Sequence, residues 1–322
     1  MKIIVTGGAG FVGSQLCDLL ISQGHEVLCI DNLLTGNLEN IEHFKTNPNF
    51  KFLEFEVTND LPEDIQADQI YHLASPASPN ANSKKSYLEL PFETMAVNTT
   101  GTWKLAQKAV EWKAMFLFAS TSEVYGDPLE HPQKEEYRGN VSTTGPRSVY
   151  DESKRFGETI TSAYVRSKGL DGRIIRIFNT YGPRMALDDG RVVIEFVLAA
   201  LKNAPIPIFG DGKQTRSFCY ISDLVSGINA AMNSENTRGE IFNLGNPDEF
   251  TILELAEKVK QVTNSNSEIQ FTQDLPEDDP ARRRPDITKA KEILGWESSV
   301  NLEEGLLKLV QYLKDSKHIL DK

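Results

Sequence analysis

The sequence of 322 residues contains only three cysteines, Cys17, Cys29 and Cys219, too few for a disulfide framework. Neither these thiols nor the five histidines stand at close metal-ligand spacing, so no metal site is expected. They read instead as small buried hydrophobes and surface imidazoles. No apolar run approaches the ~18 residues of a membrane span. The start, Met1-Lys2-Ile3-Ile4-Val5, runs straight into glycines and lacks the basic and long apolar regions of a signal peptide. A reducing cytoplasm is the expected location. Basic excess is missing as well. Lys and Arg number 34 against 46 Asp and Glu, a net charge of −12, which argues against gripping nucleic acid or an anionic membrane. A small phosphorylated ligand needs only a local basic pocket and stays open. Fixed-period repeats and low-complexity segments are also absent.

What is present is ordinary globular material, 39% hydrophobic and 25% charged, long enough for about two domains. Short apolar runs at 3–6, 27–30, 52–56, 69–73 and 115–119 read as buried strands. Helical stretches alternate with them, at 11–23 (Val12, Leu16, Leu19 and Leu20 in helical spacing) and 94–113. That alternation predicts βαβ units, right-handed crossovers and a doubly wound parallel sheet of Rossmann type, with ligands at the strand C-terminal ends. After about residue 180 the texture changes. Pro183, Pro205, Pro207, Gly210-Asp211-Gly212 and a three-proline stretch at 275–285 suggest a smaller, loop-rich α/β lobe under helices near 252–262 and 302–313. The expected division is 1–180 for the nucleotide domain, rejoined by a segment near 215–240, and 181–322 for the substrate lobe.

Gly7, Gly10 and Gly13 lie between the first strand and first helix, with Phe11 and Val12 inside the motif. Their spacing suits a tight turn, close backbone approach to a pyrophosphate, and close helix–strand packing, with phosphate at the helix N-terminus. Asp31 follows the second strand, 18 residues after Gly13. A carboxylate there accepts both ribose hydroxyls of an adenosine and repels a 2′-phosphate, so NAD is expected over NADP. Its alternative role is a turn carboxylate in Asp31-Asn32. Leu73, Ala74 and Ser75, ending the fourth strand, are expected to border the same crevice.

Tyr150 and Lys154 are four apart and share one face of a helix. An ammonium beside a phenol favours the phenolate and is expected to pull the tyrosine pKa towards neutrality. Such a tyrosine can take the proton of a sugar hydroxyl while hydride leaves the same carbon. Tyr164 and Lys168 repeat the spacing, but Tyr150 lies 29 residues after Thr121 and opens its helix behind Gly145-Pro146, so position favours Tyr150. Thr121, Ser122 and Glu123 follow a strand, where reacting groups belong in such sheets. Thr121 can bond the reacting hydroxyl, and Glu123 adds a carboxylate; the alternative is that they simply cap a helical turn.

Together these motifs resemble the extended short-chain dehydrogenase/reductase superfamily of NAD-dependent nucleotide-sugar enzymes, and within it the UDP-glucuronate decarboxylase family. The carriers are Gly7–Gly13, His72–Pro79, Ser120–Pro128, Gly145-Pro146-Arg147 with Tyr150-Asp151-Glu152 and Lys154-Arg155, Arg176–Arg184, Asp189–Val193 and Arg283–Ile287. The resemblance implies that Asp31, Asn32, Leu33, Thr35 and Gly36 hold the adenosine ribose and that Glu56 and Val57 border the adenine. It places Asn98, Tyr150, Lys154 and Thr180 around the nicotinamide. It assigns Ser78, Asn179, Arg191, Arg216 and Arg283 to the sugar nucleotide, the arginines as a diphosphate clamp. It also puts Glu123, Ser122 and Arg283 near C5 and C6 of the sugar, and implies a homodimer packed through the helices at 94–113 and 150–167.

Two stretches depart from that family. Residues 80–91 replace a Tyr-x-Tyr-Asn-Pro-like loop, and Ala96-Val97-Asn98-Thr99 replaces Lys-Thr-Asn-Thr, both where the sugar is expected. Thr121-Ser122-Glu123 matches the decarboxylases; 4,6-dehydratases usually read Thr-Asp-Glu, and 4-epimerases lack the carboxylate. The expected activity is therefore redox-neutral decarboxylation of UDP-glucuronate to UDP-xylose through a 4-keto intermediate. A 4,6-dehydratase acting on a neutral hexose such as UDP-N-acetylglucosamine comes second, a UDP-glucuronate 4-epimerase third and a non-catalytic nucleotide-sugar sensor fourth.

Overall fold

The computed structural model describes residues 1–272 and 282–316; most of the proline-rich stretch expected at 275–285 lies outside the described residues. The first half folds as β1 (Lys2–Thr6), α1 (Phe11–Ser22), β2 (Glu26–Asp31), β3 (Phe50–Glu54), β4 (Gln69–His72), α2 (Pro91–Ala96), α3 (Thr102–Trp112), β5 (Met115–Thr121), α4 (Ser148–Lys168) and β6 (Asp171–Ile177). The second half continues with β7 (Thr180–Tyr181), α5 (Val192–Leu201), β8 (Ile206–Ile208), β9 (Thr215–Ser217), β10 (Cys219–Tyr220), α6 (Ile221–Asn233) and β11 (Ile241–Leu244). It ends with β12 (Glu249–Thr251), α7 (Ile252–Thr263), β13 (Ile269–Phe271), β14 (Arg282–Arg283), α8 (Thr288–Leu294) and α9 (Leu302–Asp315).

Seven strands form one sheet in the order β11-β6-β5-β4-β1-β2-β3, every pair parallel. Its strands read as unbroken apolar runs because both faces are covered. Successive residues alternate between the faces: Ile3 and Val5 join a core with Leu16 and Cys17 of α1, whereas Ile4 joins Ile70, Phe116, Phe118 and Leu105 on the opposite side. The chain order reverses beside β1, and the crevice opens there, at the C-terminal edge. β11 comes from beyond residue 240 and docks on β6, so the large sheet draws on the second half of the chain.

One expected element divides. The helix anticipated over 94–113 is α2 and α3 joined by a wider π-type turn at Val97–Gly101. Threonine hydroxyls bond back to carbonyls there, Thr99 to Met95 and Thr102 to Asn98, both at 2.7 Å, in a β-branched stretch. The remaining strands make small sheets. β9 lies between antiparallel β12 and parallel β14, which brings Arg216 and Arg283 into register. α6 also anchors the C-terminal segment. The Asp223 carboxylate accepts the amides of Ser299 and Val300 at 2.9 and 2.8 Å, and Trp296 Nε1 donates to the Asp223 carbonyl at 3.0 Å.

Candidate active site

At the nucleotide end the backbone does most of the shaping. Gly7 takes φ +71°, its amide donates to Ile30 at 2.8 Å, and its carbonyl accepts from Gly10 at 3.1 Å. A side chain at position 13 would put Cβ 2.1 Å from the Gly7 carbonyl oxygen. One at position 7 would meet the Ala74 backbone at 2.8 Å. The turn therefore nests between β1, β4 and the start of α1, where no side chain caps the helix amides. Asp31, at the end of β2, accepts Ala9 N through Oδ2 at 3.0 Å and Leu33 N through Oδ1 at 2.8 Å. It is both a turn carboxylate and a wall of the crevice; burial raises its pKa. Asn32 donates to Glu56 at 2.7 Å beside Val57 on the same wall.

A cavity of about 1420 Å³ runs from this turn to the far end of the crevice, lined by the expected Gly10, Phe11, Val12, Thr35, Leu73 and Ser75 among others. Three expected contacts lie behind its wall. The Leu33 amide serves Asp31, Gly36 packs where a Cβ would stand 2.7 Å from the Asp31 carboxylate, and Asn98 donates to Ser153 Oγ at 3.0 Å. An unobstructed glycine turn, free helix amides and a carboxylate at the second strand end fit a dinucleotide with an unphosphorylated ribose.

At the other end α4 presents Arg147, Tyr150, Asp151 and Lys154 on one face, with spacings of three and four. The structure does not bear out a lysine-lowered phenol pKa. Lys154 Nζ donates to the Ala119 carbonyl at 2.8 Å and stands 5.8 Å from the Tyr150 ring centroid. Burial brings Lys154 down to about 7, while burial pushes Tyr150 up to about 12. The charge of Glu123 adds to that rise; Arg191 and a hydrogen bond from Thr121 oppose it. Thr121 also accepts the Glu123 amide at 3.3 Å, so capping and facing the phenol are compatible roles. Tyr164, the competing residue, packs edge-on against Trp103 and does not line the cavity.

Glu123 is bracketed by two guanidinium groups, Arg283 at 2.5 Å and Arg147 at 2.9 Å. Burial alone would raise its pKa; Arg283 and then Arg147 hold it at about 2. Arg283 keeps a buried Nε without a hydrogen-bond partner among the described residues. Ser122, Asn179, Thr180 and Arg216 line the cavity too. Thr180 donates to Phe178 O at 2.8 Å and Arg216 to Thr215 O at 2.8 Å. Arg191 donates to the Ala77 carbonyl at 2.8 Å, and Ser78 donates to Asp189 O at 2.6 Å; both tie the loop after β4 to the loop before α5.

Sequence reading missed Tyr87 and left Arg147 unassigned. Tyr87 stacks on Tyr150 with centroids 4.9 Å apart and planes 10° apart, and its buried hydroxyl has no partner among the described residues. It sits in the stretch that departs from the family pattern. Pairing Tyr87 with Tyr150 needs the loop's path, held by Tyr87 N to Ser78 O at 3.1 Å and Ser86 Oγ to Ser78 O at 3.0 Å. Arg147 closes the Gly145-Pro146-Arg147 motif, one helical turn before Asp151, and that motif is the signal for it in the sequence.

A family model described as GDP-mannose 4,6 dehydratase matches residues 4–309. The chain belongs to that family. It is 53% identical over 310 residues to UDP-glucuronic acid decarboxylase 1 of Arabidopsis thaliana, covering 96% of this chain and 69% of that protein. The crystal structure of a UDP-glucuronic acid 4-epimerase from Bacillus cereus, in complex with UDP-glucuronic acid and NAD, superposes with a TM-score of 0.86 at 29% identity, covering 98% of this chain and 99% of that one. DesIV, a dTDP-glucose 4,6-dehydratase from Streptomyces venezuelae with NAD bound, gives 0.88 at 26% identity, covering 99% and 98%. Among the described residues no helix is long and apolar enough to cross a membrane.

Proposed function

We propose that this chain is an NAD-dependent decarboxylase that converts UDP-glucuronate to UDP-xylose and carbon dioxide without net oxidation. The observation that carries the reading is the Arg147–Glu123–Arg283 cluster beside Tyr150. Arg283 and Arg147 put guanidinium groups at that wall, donors of the kind that pair with a carboxylate such as that at C6 of the sugar. Dehydration fits less well: Glu123 is a weak base at about 2, and Ser122 stands where the 4,6-dehydratases usually carry an aspartate. The kinship to UDP-glucuronic acid decarboxylases supports the same reading.

Bound NAD would supply the hydride acceptor at C4, return that hydride later, and bring a cationic ring beside the phenol. The glycine turn, Asp31, Asn32 and Glu56 would hold its adenosine end, and Lys154 and Thr180 would flank the other. Tyr150 takes the C4 hydroxyl proton, with Thr121 orienting that hydroxyl, and gives it back in the last step. With a ketone at C4 the substrate is a β-keto acid. Its C5–C6 bond breaks towards the ketone, Arg283 and Arg147 orient the departing carboxylate, and Asn179, Arg191 and Arg216 hold the nucleotide diphosphate. Burial excludes water from the enolate.

The division into a nucleotide lobe, 1–180 with the returning segment near 215–240, and a sugar-nucleotide lobe, 181–322, belongs to this proposal; β11 extends the return to residue 244. So does a homodimer. Phe92, Trp103 and Phe156 are exposed on the layer of α2, α3 and α4, an aromatic face suited to a second copy. Three free, buried thiols suit a cytoplasmic residence. The test is to incubate the chain with NAD and UDP-glucuronate or, separately, UDP-N-acetylglucosamine and weigh the products. Loss of carbon dioxide from the first is expected. Loss of water from the second would establish a dehydratase, and unchanged mass with inversion at C4 an epimerase.

A further inference from the structure

A decarboxylation that replaces a carboxylate with hydrogen consumes one proton per turnover. Tyr150 cannot be its source, because the proton it takes from the C4 hydroxyl returns to the same oxygen. Glu123 cannot store it either, since two arginines keep that carboxylate ionised. Among the described residues an acid on α4, beside this wall, is still unused. Asp151 follows Tyr150 on α4, 7% exposed, and its Oδ1 is buried without a hydrogen-bond partner among the described residues. It does not line the cavity, and it stands one helical turn after Arg147.

We propose that Asp151 is the store of the proton that ends on C5, a positioning residue that passes this proton forward towards the sugar. The inference rests on the decarboxylase reading. When the C5–C6 bond breaks, its electron pair becomes the C4–C5 double bond of the enolate, and carbon dioxide leaves. The enolate then uses that pair to form the C5–H bond with the delivered proton, and the C4 ketone is restored. Asp151, left as a carboxylate, takes a proton from solvent. The sum is one proton in and one carbon dioxide out, with no external oxidant or reductant.

The surroundings of Asp151 suit a group that gains and loses a proton. Burial and the Glu123 charge raise it to about 7, Glu152 adds to the rise, and Arg147 and Arg283 oppose it. Tyr150 on the same helix and Tyr87 from the facing loop both sense its charge. An ionised Asp151 competes with Glu123 for the field of Arg147 and Arg283.

The test compares wild type, Asp151→Asn and Asp151→Glu, loaded with NAD, by the pH profile of carbon dioxide release from UDP-glucuronate. Wild-type kcat is expected to fall as pH rises through ~7. Asp151→Asn is expected to lower kcat at least about tenfold below neutrality, remove that inflection and leave KM within about twofold. Asp151→Glu is expected to restore both rate and inflection. An infrared carboxylic-acid band of the free chain near neutral pH, lost in Asp151→Asn, reads the store without turnover; where Asn prevents folding, that band and the inflection in Asp151→Glu carry the test. A wild-type pH limb surviving in Asp151→Asn, or no such band, overturns the proposal. If wild type releases no carbon dioxide at all, the decarboxylase reading falls and this inference with it.

Discussion

The two ends of the crevice are built by opposite means. The nucleotide end uses backbone amides, glycines and the carboxylates of Asp31 and Glu56, nearly all within the first 75 residues. The sugar end uses buried charges brought from three distant places: Glu123 after β5, Arg147 and its neighbours at the start of α4, and Arg283 on β14, 160 residues from its carboxylate partner. The first end resembles a mould, in which shape and free N–H groups do the binding. The second resembles a charge balance, in which each group's protonation depends on the others. A change at the first end should therefore act on cofactor affinity, and one at the second on rate and on pH dependence.

Replacing Tyr150 by Phe breaks the comparison most sharply. Turnover should fall by at least ~10³-fold while NAD stays bound, which equilibrium dialysis and carbon dioxide assay together would show. Arg283→Ala takes the shorter of two guanidinium contacts from the buried Glu123 and keeps the one to Arg147. Carbon dioxide release should drop about a hundredfold and unfolding free energy by about 3 kcal/mol, measured by urea denaturation. Gly13→Ala should act at the other end: the 2.1 Å approach to the Gly7 carbonyl forces the turn open. NAD affinity, measured by calorimetry, should weaken at least about tenfold, with kcat at saturating cofactor little changed. Tyr87→Phe should have the smallest effect, a rise in KM for the sugar nucleotide of a few-fold with kcat nearly kept, since it removes one hydroxyl donor at ~1 kcal/mol.

The same contrast explains what could be read before the fold was seen. Glycine spacing, the carboxylate after β2 and the alternation of apolar runs are local signals, and the parallel sheet and its nucleotide turn follow from them. The break at Val97–Gly101 was hidden because an amphipathic pattern persists across a widened turn; the threonine back-bonds that open it depend on rotamers. At the sugar end residue types were legible but not their protonation. Lys154 next to Tyr150 in a helix suggested a lowered phenol pKa, whereas burial dominates and lifts Tyr150 to about 12. Tyr87 was hidden for a related reason: only the path of the loop after β4 brings its ring onto Tyr150.

The account stands most directly on the fate of the sugar carboxyl. UDP-glucuronate labelled at C6 should release one labelled carbon dioxide for each UDP-xylose formed, with no net reduced cofactor. Retention of the label in a product of unchanged mass, or loss of water in its place, would contradict it.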